Sequence, residues 1–307
     1  MMERDSMNTK QFKYVLVLAR EGSFSRAAEA LHISQPSLSQ YIKKIETEIG
    51  QELFDRTNGD VRITDAGKVY MDAGRKILDI EHQMDNALTD LAAHKSGSLV
   101  IGAAPYRAAG MMPLVAAKFQ TLYPGMHLVI REGTTAELVE GMEHGEYDLA
   151  LTLLPIDHRL FLYEKLMEEE LLLAVPRNHP ALPAAVMAGR KYPAVDAGVL
   201  NGQSLVMLTD AQFMQRQLDK LVRDYRLTVQ PAAIVKSLEA QIEMVKANVG
   251  MALMPSGIER FCKPDELRFY SFVPSLPKRE VVVMWRKDRT LSKVAEDLKQ
   301  VILSIPW

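Results

Sequence analysis

The chain has 307 residues, 48% of them hydrophobic and 25% charged, with a formal net charge of −2. Such a composition belongs to a globular protein with about two or three cored domains and excludes a disordered chain. The single cysteine, Cys262, excludes an internal disulfide framework and a multi-thiolate metal site, and the seven histidines show no pair at ligand spacing.

No apolar run reaches the roughly 20 residues that cross a bilayer. The longest, Leu99 to Ala117, is interrupted by Arg107. The opening MMERDSMNTK has no apolar segment, so no secretory signal is expected, and a reducing cytoplasm is the simplest setting. No metal, cofactor or membrane partner is expected. Residues 1–65 hold nine Lys/Arg against ten Asp/Glu. Any nucleic-acid footprint there must therefore come from the placement of charge, not from its sum.

The first predicted helix covers residues 8–21. Asn8 or Thr9 caps it, Phe12, Leu16 and Ala19 face inward, and Gly22 ends it. A second, short helix follows from Phe24 to Leu31, where Ala27 and Ala28 allow close approach of a neighbour. His32-Ile33 is the turn. Ser34 then caps a third helix that has Pro36 in its first turn, where a missing N–H leaves no bond unmade. Leu38, Ile42, Ile45 and Ile49 form one apolar stripe on it. The opposite face carries Gln35, Ser37, Ser39, Gln40, Lys43 and Lys44, the amides, hydroxyls and ammoniums that bond base edges and phosphates. Two short helices with a tight turn are a helix-turn-helix, and the second suits a major groove.

LFDRTNGDVRIT, after Gly50, reads as a two-strand wing around the hairpin signal Asn58-Gly59. Arg56 and Arg62 flank that turn and can reach sugar-phosphate or a minor groove. Ser23, Ser25 and Thr64 stand at helix N-termini, where free N–H groups favour phosphate.

Residues 65–93 lack proline. Tyr70, Ala73, Ile77, Ile80, Met84, Ala87 and Leu91 follow alternating steps of three and four, which predicts a coiled-coil seam. Such a helix is roughly 40 Å long. It would hold two reading heads near successive duplex turns of about 34–36 Å.

The segment 92–98 is a small polar linker. Beyond it strands and helices alternate, predicting a mostly parallel sheet with helices on both faces. Strands are expected at Leu99–Pro105, Leu128–Glu132, Asp148–Leu153 and Leu171–Val175, with helices at Met111–Tyr123 and Ala136–His144. A second series has strands at Ser204–Leu208, Ala232–Val235, Gly250–Met254, Leu267–Phe272 and Glu280–Trp285. Its helices are Gln212–Tyr225, Leu238–Ala247 and a closing Ser292–Ile305 with the stripe Val294, Leu298, Val301 and Ile305. Two α/β units in series suggest two lobes around a cleft.

In open α/β sheets ligands bind beyond the carboxyl ends of strands. That rule selects the loops holding Ala104, Pro105, Tyr106 and Arg107, then Thr134 and Thr135, Leu154 and Pro155, Thr209 and Asp210, and Ser237. Hydroxyls before helices and Arg107 favour an anionic ligand. The plainer readings, helix capping for the hydroxyls and a surface charge for Arg107, carry equal weight.

The run GSFSRAAEALHISQPSLSQYIKKIETEIGQELFDR, with VRITDAG after it, resembles the N-terminus of the LysR-type transcriptional regulators. The matching positions are Ala27-Ala28, Leu31, Ser34-Gln35-Pro36, Leu38-Ser39, Ile42, Ile45-Glu46, Gly50, Leu53-Phe54, Arg56 and Thr64 with Gly67. The resemblance implies a winged helix-turn-helix at 1–64, a dimerising linker helix at 65–95, and a periplasmic-binding-protein-like effector domain at 98–307. That domain would be crossed twice, near Ala174–Arg177 and Phe272–Leu276, giving lobe I as 98–174 with 277–307 and lobe II as 175–276. Gln35, Pro36, Ser37, Ser39, Gln40 and Lys43 become the base-reading candidates. Ser23, Ser25, Arg26, Ser34, Lys44, Arg56, Arg62 and Thr64 become the phosphate and wing candidates. Implied partners are double-stranded DNA, a small effector, further copies of the chain as dimer or tetramer, and RNA polymerase. Many members carry Ser or Thr after the first effector-domain strand, where this chain has Ala103, Ala104 and Tyr106; an aromatic or bulkier ligand is the consequence.

Two other classes are weaker. An enzyme would be expected to show a nucleophile elbow, a phosphate-binding glycine loop or a Cys–His signature, and none is present. A transport solute-binding module would carry a secretory signal.

Overall fold

The computed structural model describes residues 9–56, 61–91, 97–209, 213–263 and 265–307, and for residues 82, 85–87 and 89–91 the backbone alone. The Asn58-Gly59 turn, Asp210 and linker residues 92–96 lie outside the described residues. The chain divides into two compact units, Met1–Gly97 with Glu140–Glu146, and Ser98–Val139 with Tyr147–Trp307.

The amino-terminal unit contains helices α1 (Thr9–Glu21), α2 (Phe24–Ala30) and α3 (Gln35–Ile49), strands β1 (Phe54–Asp55) and β2 (Arg62–Ile63), and the long helix α4 (Asp65–Leu91). The two strands pair antiparallel, with Phe54 opposite Ile63, as a wing requires. Val15, Leu18, Ala27, Leu38, Ile42, Ile45, Leu53 and Phe54 form its core. Two expectations are corrected. On α1 the buried positions are Phe12, Tyr14, Val15 and Leu18, so Leu16 and Ala19 lie at the margin of the face, not at its centre. On α3 the stripe stops at Ile45. Ile49 is 41% exposed, because Gly50 turns the chain away in a left-handed conformation (φ 73°) before Ile49 meets a neighbour.

The second unit runs β3 (Gly97–Ala103), α5 (Pro105–Leu122), β4 (Met126–Glu132), α6 (Thr135–Glu143), β5 (Leu149–Leu153), β6 (Phe161–Glu169) and β7 (Leu171–Pro176). It continues with β8 (Ala194–Asp196), β9 (Ser204–Leu208), α7 (Phe213–Asp224), β10 (Gln230–Val235), α8 (Leu238–Lys246), β11 (Ala252–Pro255), β12 (Leu267–Val273), β13 (Arg279–Arg286) and α9 (Lys293–Ser304). Two cores divide it. One gathers Leu99, Ile101, Met112, Val115, Phe119, Leu149, Leu151, Val283, Leu298 and Ile302. The other gathers Leu171, Leu173, Val195, Leu205, Leu218, Ile242, Leu253, Ile258 and Phe272.

The sheets are mixed, which corrects the expectation of a mostly parallel arrangement. In the sheet ordered β4-β3-β5-β13-β6, β3 and β5 run parallel, but β13 returns antiparallel to both β5 and β6. In the sheet ordered β11-β7-β12-β8, β7 is antiparallel to both its neighbours, and β12 pairs parallel with β8. The chain leaves one sheet and comes back, so a late strand is inserted beside an early one.

The first hand-over between sheets falls at Glu170, between the end of β6 and the start of β7, several residues before the expected Ala174. All six residues of β7 are buried in the second sheet. The return falls between Val273 and Arg279. Helix α5 also starts earlier than the Met111 expected from hydropathy. Pro105 occupies its first turn, where proline is well placed, so Tyr106 and Arg107 are helical, not loop residues.

Candidate nucleic-acid interface and effector site

Ser34 holds the start of α3. Its Oγ accepts from Ser37 N at 3.3 Å and lies 2.7 Å from Ser37 Oγ. A cap of this kind is worth about 1 kcal/mol. With Leu38, Ile42 and Ile45 buried beneath, Gln35, Pro36, Ser37, Gln40, Lys43 and Lys44 are exposed and Ser39 is half-buried. The side chains of Gln35, Gln40 and Lys43 have no partner among the described residues, so their polar groups are available to a ligand. Lys44 makes only a loose pair with Glu48 at 3.6 Å.

The flanking candidates differ in freedom. Ser23 caps α2 by position but makes no side-chain cap bond, and Ser25 is exposed. Arg26 Nη2 donates to the carbonyl of Glu21 at 2.5 Å. Arg62 is exposed on β2. Arg56 is held: its Nη2 donates to Glu46 Oε2 at 2.7 Å, and its guanidinium lies 5.0 Å from the Phe24 ring centre. Thr64 is held as well. Its hydroxyl donates to Glu52 O at 2.7 Å and accepts from Gly67 N at 3.0 Å.

Glu46 was missed by sequence reasoning as a working residue. Its Oε1 accepts from Leu53 N at 3.0 Å and Phe54 N at 3.2 Å, while Oε2 takes Arg56. One carboxylate thus ties the end of α3 to the first wing strand. The signal available was the charge pair Glu46…Arg56 around Gly50.

Along α4, Ile80 is 64% and Met84 55% exposed, large apolar groups facing water. Ala73 is exposed and Ile77 half-buried. Tyr70 is half-buried, its ring 5.2 Å from that of Phe12, so it packs on its own domain. Nothing is described for the side chains of Ala87 and Leu91.

In the second unit the predicted effector residues separate into two groups. Thr134 and Ser237 are helix caps. Thr134 Oγ1 accepts from Glu137 N and Thr134 N donates to Glu137 Oε2, a reciprocal box, and Ser237 Oγ accepts from Ala240 N at 3.1 Å. Thr135 and Pro155 are exposed, and Ala104, Leu154 and Thr209 half-buried.

Tyr106 and Arg107 overturn their expectation. Neither faces a solvent-lined loop, and Arg107 is not a surface charge. They are 7% and 3% exposed and converge on Glu169, itself 1% exposed. Tyr106 donates to Glu169 Oε1 at 2.5 Å. Arg107 Nη2 and Arg279 Nη2 both donate to Glu169 Oε2, at 2.8 and 2.5 Å. Burial works against ionisation of Glu169, but the guanidiniums of Arg107 and Arg279 outweigh it and hold the carboxyl below its usual range. Burial pushes the Tyr106 hydroxyl up, keeping it a donor.

Among the described residues no group of three His, Cys, Asp or Glu could hold a metal, and no helix is long and apolar enough to cross a membrane.

Comparison with known proteins gives these arrangements a family. The model of the bacterial regulatory helix-turn-helix proteins of the lysR family matches residues 9–68. That of the LysR substrate binding domain matches residues 92–304. The chain is 27% identical over 298 residues to the DNA-binding transcriptional dual regulator OxyR of Escherichia coli, covering 96% of this chain and 95% of that one. It is 28% identical to the HTH-type transcriptional regulator YcgK of Bacillus subtilis, covering 94% and 92%. Among solved structures, a full-length OxyR variant from Pseudomonas aeruginosa matches with a TM-score of 0.63 at 25% identity, covering 97% of this chain and 95% of that one. Full-length CbnR complexed with its target DNA shares the fold with a TM-score of 0.63 at 20% identity, covering 96% and 99%. The chain belongs to the LysR family of DNA-binding transcriptional regulators, proteins with an effector-binding domain and not enzymes.

Proposed function

We propose that this regulator acts as a homo-oligomer, at least a dimer, in which paired α4 helices space two α3 helices on one duplex. The observation that carries the reading is the polar face of α3. Gln35, Ser37, Gln40 and Lys43 project from a helix whose other face is fixed by Leu38, Ile42 and Ile45. Ser39, half-buried, joins the same reading face beside Pro36. Ser23, Ser25, Ser34, Lys44 and Arg62 hold phosphates in this reading, while Arg26, Arg56 and Thr64 shape the wing and entry turn that carry them. Exposed Ile80 and Met84, with Ala73, Ile77, Ala87 and Leu91, form the seam between copies.

The effector is a small organic molecule, anionic or aromatic, held between the two α/β lobes near Ala104, Pro105, Thr134, Thr135, Leu154, Pro155, Thr209, Asp210 and Ser237. Closure of the lobes changes the arrangement of the dimers and so the access of RNA polymerase in the cytoplasm. The reading covers activation and repression alike. Binding of purified protein to genomic fragments, read by footprinting, tests it. Protection in two half-sites about one helical turn apart is expected. A single continuous footprint from a monomer contradicts it.

Relatives named as hydrogen peroxide-inducible genes activators raise a second reading, a thiol sensor. One observation weighs against it. Sensor thiols are exposed, acidic and set beside a resolving cysteine. Cys262 is the chain's one cysteine, half-buried, with its thiol pushed up to about 11 by burial.

A further inference from the structure

Helix α4 meets the helices and wing of its own amino-terminal unit along one line. Gly67, Gly74 and Glu81 recur at every seventh position, about two helical turns, and so share a face. A side chain at Gly67 would run into the Leu53 carbonyl beside the first wing strand, and a Cβ at Gly74 would sit 2.6 Å from the Phe12 ring. Glycine weakens a helix interior. Here its bare backbone lets the wing and α1 lie directly on α4. Tyr70, between the two glycines, adds its ring contact with Phe12.

The third position of the line is charged. Glu81 reaches the start of α1, where Thr9 Oγ1 donates to its Oε1 at 2.8 Å and Lys13 Nζ lies 3.4 Å from its Oε2. Lys13 is exposed and Glu81 half-buried, so the ion pair adds little to stability. What it adds is a second point of attachment. The glycines seat the reading head at one level, and Glu81 grips it roughly 10 Å beyond Gly74 along the helix axis. A body held at one level can pivot; a second hold removes that freedom. Ile80, exposed, stands one residue from Glu81 and so about 100° around the helix. The mount of the head and the proposed seam therefore occupy different faces of one helix.

We propose that Glu81 is a positioning residue for DNA selection. By holding Thr9 and Lys13 it fixes the angle at which each reading head is carried on α4, and so sets the half-site spacing that a pair of heads accepts. It acts through α1 and α4, not through contact with DNA. The inference rests on the paired α4 helices of the reading proposed above. One base pair more or less between half-sites moves them by about 3.4 Å and turns one against the other by about 35°. Heads fixed on their helices cannot follow that change, whereas heads free to pivot can.

The test uses the full chain and four duplexes: its footprinted site, the same site with half-sites one base pair further apart or closer, and one half-site alone. The proteins are the wild type, Glu81→Ala, Glu81→Gln and Thr9→Val. Wild type should lose about tenfold or more in affinity at either altered spacing, because both heads no longer engage together. Glu81→Ala and Thr9→Val should each cut that loss to about threefold or less. Their thermal midpoint, mass and affinity for the single half-site should stay unchanged. Glu81→Gln still accepts from Thr9 and should stay near wild type. Thr9→Val removes the same bond from the other side, which keeps the test meaningful if one variant fails to fold. An equal spacing penalty in wild type, Glu81→Ala and Thr9→Val would overturn the mount, and so would a uniform loss on all four duplexes. A wild type that is monomeric or indifferent to spacing would overturn the paired-helix reading and the mount with it.

Discussion

Arg56 and Glu46 are joined by a 2.7 Å ion pair across Gly50, and the second oxygen of the same carboxylate accepts from Leu53 N and Phe54 N. Helix α3 and the first wing strand are thereby tied together. Glu46→Ala should leave two half-buried N–H groups unmade and destabilise the amino-terminal domain by about 1–3 kcal/mol. Glu46→Gln keeps an acceptor and should lose less. Thermal unfolding of both variants, with DNA affinity measured in parallel, checks the order.

The exposed apolar pair on α4 gives a second prediction. Replacing Ile80 and Met84 together by Glu sets like charges where a partner helix would lie. Sedimentation should show dissociation at micromolar protein, and DNA affinity should fall by at least about tenfold because two linked heads become one. Unchanged mass would remove the seam.

Acid should weaken the effector domain through Glu169. Its folded carboxyl lies below the usual range, so the unfolded chain binds the proton first. Its contribution is then fully present above the ordinary carboxylate range and is lost as pH falls through the depressed value. Denaturant midpoints should drop over that acid window in wild type. In Glu169→Gln, less stable at neutral pH by about 3–5 kcal/mol, the drop should be shallower.

Cys262 gives a fourth. Its Sγ lies 3.7 Å from Ile258 O, and burial pushes its thiol up to about 11. At pH 8 alkylation should be slow relative to a free thiol. Cys262→Ser should leave DNA binding unchanged, with or without added peroxide.

The α3 face was legible because its stripe and cap are local: Ser34, Leu38, Ile42 and Ile45 lie within a few turns. The alternation of α and β segments was legible for the same reason. Strand β6, Phe161–Glu169, was not foreseen, because it carries charges along an edge and lacks an apolar run. The fate of Arg107 was equally hidden. Its partner Glu169 lies 62 positions away, and Arg279 another 110 beyond, so only the sheet crossing brings them together. Ile49 shows the reverse: it falls on the apolar period of α3 yet is exposed, because a stripe has meaning only as far as a neighbour covers it.

Whether the α3 face reads bases decides how this regulator selects its DNA. The decisive measurement is the affinity of wild type, Gln40→Ala and Arg62→Ala for a footprinted site and its single-base variants, across a range of salt. Gln40→Ala should lose about 1–3 kcal/mol on the native site and relax preference at one base pair. Arg62→Ala should weaken all sequences alike and flatten the salt slope by about one. If both variants weakened every sequence equally with the same salt slope, α3 would not be the reading element.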